Sequence, residues 1–151
     1  RIVSGGSTPS LEFANSSVLT EVRPGVYVFG DAQQWELGTI DPRDIALTAL
    51  ATVVSRSPDH LILDSGSKVL GADRGPYSSG LGRLMDYPDA RIPALSEHHA
   101  TVVGVDLPLG ARVRVVPNHV CAAVNLADEY VVESAAKELV SWAIDARGRN
   151  F

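Results

Sequence analysis

The sequence predicts an all-β domain, a sandwich or barrel with few short helices. Seven or eight short segments rich in β-branched and aromatic residues recur along the 151 residues, and turn sequences separate them. No long segment has a convincing helical period. A chain of this length can form one domain with a substantial core.

The first predicted strands lie in the N-terminal half. Residues 2–3 resemble the end of a strand before a Gly/Ser/Thr loop, and residues 26–29 follow a Pro-Gly turn signal. Residues 46–56 are long enough for a helix, but their threonines and valines favour a long strand. Residues 61–64 predict a short buried strand that ends in a Ser-Gly-Ser turn.

A long loop and four more strands are predicted in the second half. Residues 71–93 are rich in Gly, Pro, Asp and Ser, and such long loops in compact domains are often functional. The strands are predicted at residues 100–105, 112–116, 130–132 and 140–146. In the second of these, arginines alternate with valines and Val116 falls on the arginine side, which is the period of a half-exposed strand.

Charge and composition exclude several classes of protein. The formal net charge is -5, and the 13 Lys and Arg residues are scattered, so a general nucleic-acid binder is not expected. A single cysteine allows no intrachain disulfide, which fits a reducing compartment and predicts a cytoplasmic protein. No apolar run approaches the roughly 20 residues of a spanning helix, so no membrane partner is expected.

A histidine and a cysteine follow directly on a predicted strand. If the chain stays extended over residues 117–121, His119 and Cys121 project to the same side. An imidazole and a thiolate together suit zinc, and with no second cysteine the site would be open, leaving positions for water or substrate. The alternative is a buried cysteine and a surface histidine that bind no metal.

Three other segments contain candidate functional residues. The loop Ser4-Gly5-Gly6-Ser7-Thr8 offers amides and hydroxyls to a phosphate, although an ordinary turn has the same composition. His98 and His99 are adjacent titratable residues, of which at most one would face a site. Lys68 could form a Schiff base, but its neighbours favour a turn lysine.

Five segments in a fixed order carry a resemblance to a known family. They are SGGSTP at residues 4–9, VRPGVYVFGD at 22–31, DSGSK at 64–68, SEHHA at 96–100 and PNHVCAAVNL at 117–126. Together they resemble the D-serine dehydratase / D-threonine aldolase family of fold-type III pyridoxal-phosphate enzymes. Members of that family have an alanine-racemase-like barrel followed by a β-domain, and this chain resembles the C-terminal β-domain.

The resemblance implies roles for particular residues. Residues 1–10 would be the end of the preceding pyridoxal-phosphate barrel, with Gly6, Ser7 and Thr8 at the cofactor phosphate, and residues 11–151 the metal-binding β-domain. His119 and Cys121 would bind the metal: zinc in the dehydratase branch, manganese or magnesium in aldolases, which commonly have aspartate at the cysteine position. His99 takes the family's catalytic-region histidine position, while His98 departs from the family by replacing a glutamate.

The resemblance also implies an activity. We expect a lyase that acts on D-amino acids with a β-hydroxyl, converting them to a 2-oxo acid and ammonia; retro-aldol cleavage and a non-catalytic scaffold or dimerisation module are the alternatives. The family's Schiff-base lysine lies in a Lys-x-His context that this sequence lacks. The chain alone is therefore expected to be incomplete and to need an N-terminal barrel. A homodimer is expected, since in the family one subunit's β-domain completes the site against its partner's barrel.

Overall fold

Strands dominate the computed structural model, which describes residues 1–15 and 17–149. Three short α-helices occur in the described residues, at Ala32–Leu37 (α1), Ser67–Leu70 (α2) and Val120–Leu126 (α3), with 3-10 helices at Thr8–Phe13, Val26–Val28 and Pro42–Asp44. The strands are Ser4–Gly5 (β1), Glu21–Val22 (β2), Ala49–Arg56 (β3), Leu61–Leu63 (β4), Gly82–Leu84 (β5), Arg91–Leu95 (β6), Ala100–Val103 (β7), Arg112–Pro117 (β8), Glu129–Glu133 (β9) and Leu139–Ala143 (β10).

Six strands form one antiparallel sheet that curls into a nearly closed barrel. Their order is β5-β8-β3-β4-β7-β6, and each neighbouring pair is antiparallel. The two edges meet where the Leu81 N–H donates to the Ile92 carbonyl at 2.9 Å. This closure gives the two edge strands a partner, and exposed edges are otherwise sites of unwanted pairing.

The barrel interior holds the main hydrophobic core. Alternate residues of the strands point inward, as the two-residue period of a strand requires. The buried members are Ala51, Val53, Leu61, Leu63, Leu70, Leu84, Ala90, Ile92, Ala100, Val102, Leu107, Val113 and Val115.

A second apolar cluster lies outside the barrel and attaches α1 to it. Val116 of β8 is fully buried with Ala32 and Ile45 on that side. The prediction that Val116 lies on a solvent face is therefore wrong, because α1 covers that end of the strand. An ion pair between Glu36 and Arg83 at 2.8 Å strengthens the same contact.

Two small sheets complete the described chain. β1 and β2 pair in parallel, and β9 and β10 form an antiparallel hairpin. The hairpin touches the N-terminal region where the rings of Phe29 and Tyr130 lie 5.6 Å apart. Among the described residues, no helix is both long and apolar enough to cross a lipid bilayer.

The all-β barrel class predicted from sequence is confirmed. The predicted strands at residues 46–56, 61–64, 100–105, 112–116, 130–132 and 140–146 overlap β3, β4, β7, β8, β9 and β10 in that order. Their agreement reflects a strong local signal, since β-branched and aromatic residues are frequent in most of them.

Three local predictions are wrong. Residues 26–29 are not a strand: Val26–Val28 form a 3-10 helix, because Gly30 adopts a positive φ of 68° and its N–H returns to the Val26 carbonyl at 2.8 Å. Residues 71–93 are not one loop, since β5 and the start of β6 lie within them. The first strand is Ser4–Gly5 and not residues 2–3.

Candidate metal centre

The segment with His119 and Cys121 turns from strand to helix. His119 is the residue before α3, with extended backbone angles of φ -130° and ψ 111°, and Cys121 lies in the first helical turn with an exposed side chain. An extended chain over residues 117–121, the condition on which the two side chains were expected to project to the same side, is therefore not met. The two side chains are placed by a strand-to-helix junction rather than by strand alternation.

A buried carboxylate holds this junction from the side of α1. Asp31 is 1% exposed, and its carboxylate accepts the N–H of Gln34 at 2.9 Å and that of Val120 at 3.2 Å. One side chain thus caps the starts of both α1 and α3. Burial raises the pKa of Asp31, although the two amide hydrogen bonds and the nearby His119 act in the opposite direction.

Asn118, the residue before His119, is also held in place by hydrogen bonds. Asn118 is 3% exposed, and its side-chain amide donates to the main-chain carbonyl of Asp73 at 2.7 Å. Its own carbonyl accepts the N–H of Gln33 at 3.3 Å. Asn118 therefore joins the start of α3 to α1 and to the segment between α2 and β5.

His119 contacts a carboxylate of that same segment. Its Nδ1 lies 3.1 Å from Oδ2 of Asp73, with both side chains partly exposed. A histidine that binds a metal through one ring nitrogen usually donates the other N–H to a carboxylate, carbonyl or water. The donor set fits zinc, since Nε2 of His119 remains as a ligand atom and the Cys121 thiol is accessible two residues on.

The site offers fewer ligands than a structural zinc needs. The part of the chain that the structure describes contains no group of three or more His, Cys, Asp and Glu side chains arranged to hold a metal ion. A metal here would therefore have at most two side-chain ligands from this group. This agrees with an open site and disagrees with a closed structural one.

The short helix α2 connects this junction to the turn that contains His99. The Ser67 N–H donates to the Ser96 carbonyl at 2.8 Å at one end of α2. At the other end Gly71 packs so closely on Ala122 of α3 that an added Cβ would lie 2.8 Å from the alanine Cβ. At 1.5 Å per residue, α2 separates the two ends by roughly 6 Å.

The His99 turn and Lys68 are both at the surface. His98 and His99 are exposed, so the orientation of His99 toward any substrate stays a prediction. Lys68 pairs with Glu97 at 3.0 Å and more than half of its side chain is exposed. This favours the turn-lysine interpretation, because a Schiff-base lysine is normally desolvated.

The N-terminal loop makes its contacts elsewhere. The Ser7 N–H donates to Oγ of Ser10 at 3.0 Å, and Oγ1 of Thr8 accepts the Tyr27 N–H at 3.2 Å. Thr8 also borders a shallow cleft of about 480 Å³ whose lining includes the carboxylates of Glu12 and Asp44. The Ser7 N–H is thus already hydrogen-bonded inside the loop, and carboxylates lie near Thr8. Phosphate binding by Gly6, Ser7 and Thr8 stays a prediction.

Sequence analysis did not single out Asp31, Asp73 or Asn118. Asp31 and Asn118 lie inside two of the five segments that carry the family resemblance, and Asp73 lies in the segment predicted as a functional loop. The family resemblance and the predicted loop therefore indicate the segments that contain these three residues. No feature of the neighbouring sequence distinguishes the three side chains from other polar side chains nearby.

Comparison with known proteins identifies the family. The model of the serine dehydratase domain matches residues 46–133, which is more than half of the chain. The chain belongs to this family. The match runs from just before β3 to the end of β9, so it includes the whole barrel and the α3 junction. The resemblance to the D-serine dehydratase / D-threonine aldolase family is confirmed.

Relatives of two lengths match the chain. An uncharacterized protein of Mycobacterium tuberculosis is 52% identical over 132 residues, covering 82% of this chain and 99% of that protein. D-threonine aldolase of an Arthrobacter species is 37% identical over 156 residues, covering 97% of this chain and 39% of the aldolase. The chain thus spans nearly all of the mycobacterial relative but about two fifths of the named enzyme.

Solved structures confirm the fold as a domain of a larger architecture. An alanine racemase-like protein from Idiomarina loihiensis matches with a TM-score of 0.82 and 28% identity, over 94% of this chain and 43% of that one. D-threo-3-hydroxyaspartate dehydratase from a Delftia species matches with a TM-score of 0.80 and 30% identity, over 94% and 43%. A cysteine-to-alanine variant of that dehydratase, described as metal-free, also matches, with a TM-score of 0.79 and 29% identity, over the same shares of the two chains.

Proposed function

We propose that this chain supplies the metal-binding part of a pyridoxal-phosphate-dependent lyase that acts on D-amino acids with a β-hydroxyl. The reaction we favour is D-serine dehydratase-type elimination to a 2-oxo acid and ammonia. The observation that carries the proposal is the pairing of Nδ1 of His119 with Asp73, which leaves Nε2 as a ligand atom, with an exposed Cys121 two residues further on in the first turn of α3. The metal-free cysteine variant of the Delftia enzyme supports a metal role for a family cysteine.

The proposed chemistry divides between bound groups and residues of this chain. Bound pyridoxal phosphate supplies an electron sink for a bond broken at Cα, and bound zinc supplies Lewis acidity at the β-hydroxyl. His119 and Cys121 contribute the imidazole nitrogen and the sulfur that hold zinc. Asp31 and Asn118 fix the backbone on either side of His119, so that little rearrangement is needed when a ligand binds.

Metal content of the purified chain tests this proposal. We expect close to one zinc per chain by elemental analysis after loading and desalting, and loss of that zinc in His119→Ala and Cys121→Ala. His60→Ala is the matched control, because His60 also contacts an aspartate through Nδ1, at 2.8 Å, but lies in the turn between β3 and β4. A wild-type chain that retains no zinc would contradict the metal site.

The aldolase alternative is supported by the Arthrobacter relative. The same two ligands would serve cleavage between Cα and Cβ, and that D-threonine aldolase is 37% identical to this chain. Products distinguish the reactions in an assembly of this chain with a pyridoxal-phosphate barrel. A 2-oxo acid and ammonia from D-serine would support elimination, whereas glycine and an aldehyde from D-threonine would support cleavage.

The non-catalytic alternative is supported by the mycobacterial relative, which consists almost entirely of the matched region. A scaffold or dimerisation module predicts no metal binding and full tolerance of Cys121→Ser. The homodimer expected from the family resemblance is part of the lyase proposal, and light scattering of the assembled enzyme would test it. A fully active monomer would contradict that part.

A further inference from the structure

One residue contacts both positions that lead into α3. The main-chain carbonyl of Asp73 accepts a hydrogen bond from Asn118, and its carboxylate lies 3.1 Å from Nδ1 of His119. Two consecutive residues of the junction are thus attached to two different groups of a single aspartate. A surface ion pair formed by chance would not be expected to have this second, partly buried hydrogen bond.

The segment that carries Asp73 is itself tied to α1. The Tyr77 hydroxyl contacts Oε1 of Gln33 at 3.0 Å, and the Ser79 N–H donates to Oε2 of Glu36 at 2.8 Å. Since Asp31 at the start of α1 also holds Val120, both sides of the His119 contact are positioned by the same helix. The main chain of Asp73 is therefore held in place before any metal binds.

The chemistry of this contact selects one form of the imidazole. An ionised carboxylate can only accept hydrogen bonds, so the Asp73 carboxylate 3.1 Å from Nδ1 of His119 favours the form of the ring that carries its proton on Nδ1. In this neutral tautomer the lone pair that can bind a metal lies on Nε2. We propose that Asp73 is a positioning residue that keeps His119 in the Nδ1–H tautomer and directs Nε2 to the metal. This inference rests on the proposed metal site and adds the group that prepares it.

The tautomer of His119 in the zinc-free chain is the first test. Nitrogen-15 chemical shifts at alkaline pH, where imidazoles are neutral, distinguish the two tautomers. We expect wild-type His119 to be in the Nδ1–H tautomer. Asp73→Asn should keep this tautomer, because asparagine still has an acceptor oxygen. Asp73→Ala should lose the preference for it. Asp59→Ala is the control, since it removes a similar aspartate from His60 and should leave the His119 signals unchanged. A wild-type His119 in the Nε2–H form overturns the inference without any variant.

Zinc affinity is the second test, measured by competition with a chromophoric chelator. We expect Asp73→Ala to bind zinc about 10–100-fold more weakly, the usual effect of removing a partner of a ligating histidine, and Asp73→Asn to recover most of the loss. Unfolding temperatures of the zinc-free variants should match wild type, because this pair is partly exposed. Equal zinc affinity in wild type and Asp73→Ala would overturn the role of Asp73 and leave the metal site standing. No zinc binding by wild type would refute the metal site and this role with it.

Discussion

Asp31 and Val120 lie 89 positions apart in sequence and are joined by a hydrogen bond from the Val120 N–H to the Asp31 carboxylate at 3.2 Å. The same carboxylate accepts the Gln34 N–H, so one buried side chain caps the N-termini of two helices, α1 and α3. The first amides of a helix have no partner within the helix and need one from elsewhere. The position of His119 therefore depends on a residue that is far from it in sequence.

Removing this carboxylate should destabilise the protein and weaken metal binding. We expect Asp31→Ala to lower the free energy of unfolding by about 2–4 kcal/mol, which combines a lost helix cap with a buried N–H left unpaired. Urea unfolding measures the loss. Asp41→Ala is the control, because Asp41 caps an exposed 3-10 turn and should have a much smaller effect. Equal losses in the two variants would argue against a special role for Asp31.

The largely buried pair of Glu36 and Arg83 should make stability depend on pH in the acid range. Burial alone would raise the pKa of Glu36, but hydrogen bonds from Ser79 and Arg83 outweigh it and hold that pKa below its ordinary value of 4.5. The ionised side chain therefore contributes stability that is present above pH 4.5 and is lost as pH falls through the lowered pKa.

We accordingly expect Glu36→Gln to lower the free energy of unfolding by about 1–3 kcal/mol at pH 7. The difference in free energy of unfolding between wild type and variant should become smaller below pH 4.5, because wild-type Glu36 takes up a proton there. Denaturant unfolding at several pH values measures both. Glu138→Gln, at an exposed position, serves as control, and a gap that is constant from pH 7 to pH 3 would contradict the prediction.

The close contact at Gly66 should tolerate no side chain. An added Cβ would lie 2.4 Å from both the His99 nitrogen and the Ser96 carbonyl oxygen. We expect Gly66→Ala to cost about 1–3 kcal/mol through overpacking and to shift the amide resonances of the His99 turn. Gly25→Ala is the matched control, because nothing lies within 4 Å of its added Cβ and its φ is -108°. Similar stability of the two variants would show that the turn moves freely.

Zinc should protect Cys121 from alkylation. This is the sole cysteine, so one mass shift reports one site. The thiolate is the reactive form, and a bound metal occupies it. We expect iodoacetamide to modify the zinc-free chain, zinc to slow the reaction, and magnesium to leave it unchanged. Protection that persists in His119→Ala would indicate that zinc binds without the histidine and would contradict the proposed pair.

Prediction from sequence succeeded where the signal is local and repeated. The strands β3 and β8 have dense β-branched content, so their neighbours alone favour an extended chain. It failed at residues 26–29, which have strand-like composition but lack a neighbouring strand in the described structure and close into a turn at Gly30. Composition predicts a preference, whereas pairing decides whether a strand forms.

The same distinction applies to the candidate site. His119 and Cys121 became candidates through their chemistry, their spacing and the family resemblance, all of which are read from short runs of consecutive residues. The start of α3 at Val120 was missed, because the group that caps it belongs to Asp31. Asp73 was missed for a similar reason, since its partner amide on Asn118 is 45 positions away.

The sequence by itself determined the β-rich class, the family and the two candidate ligands, because strand propensity and short motifs are written in adjacent residues. Only the tertiary structure decided that the ligand segment becomes a helix start, that Asp31 caps it, and that Asp73 faces His119. The physical reason is that these contacts satisfy a backbone amide and a buried side-chain amide with groups 45 to 89 positions away, and folding of the barrel is what brings those groups together.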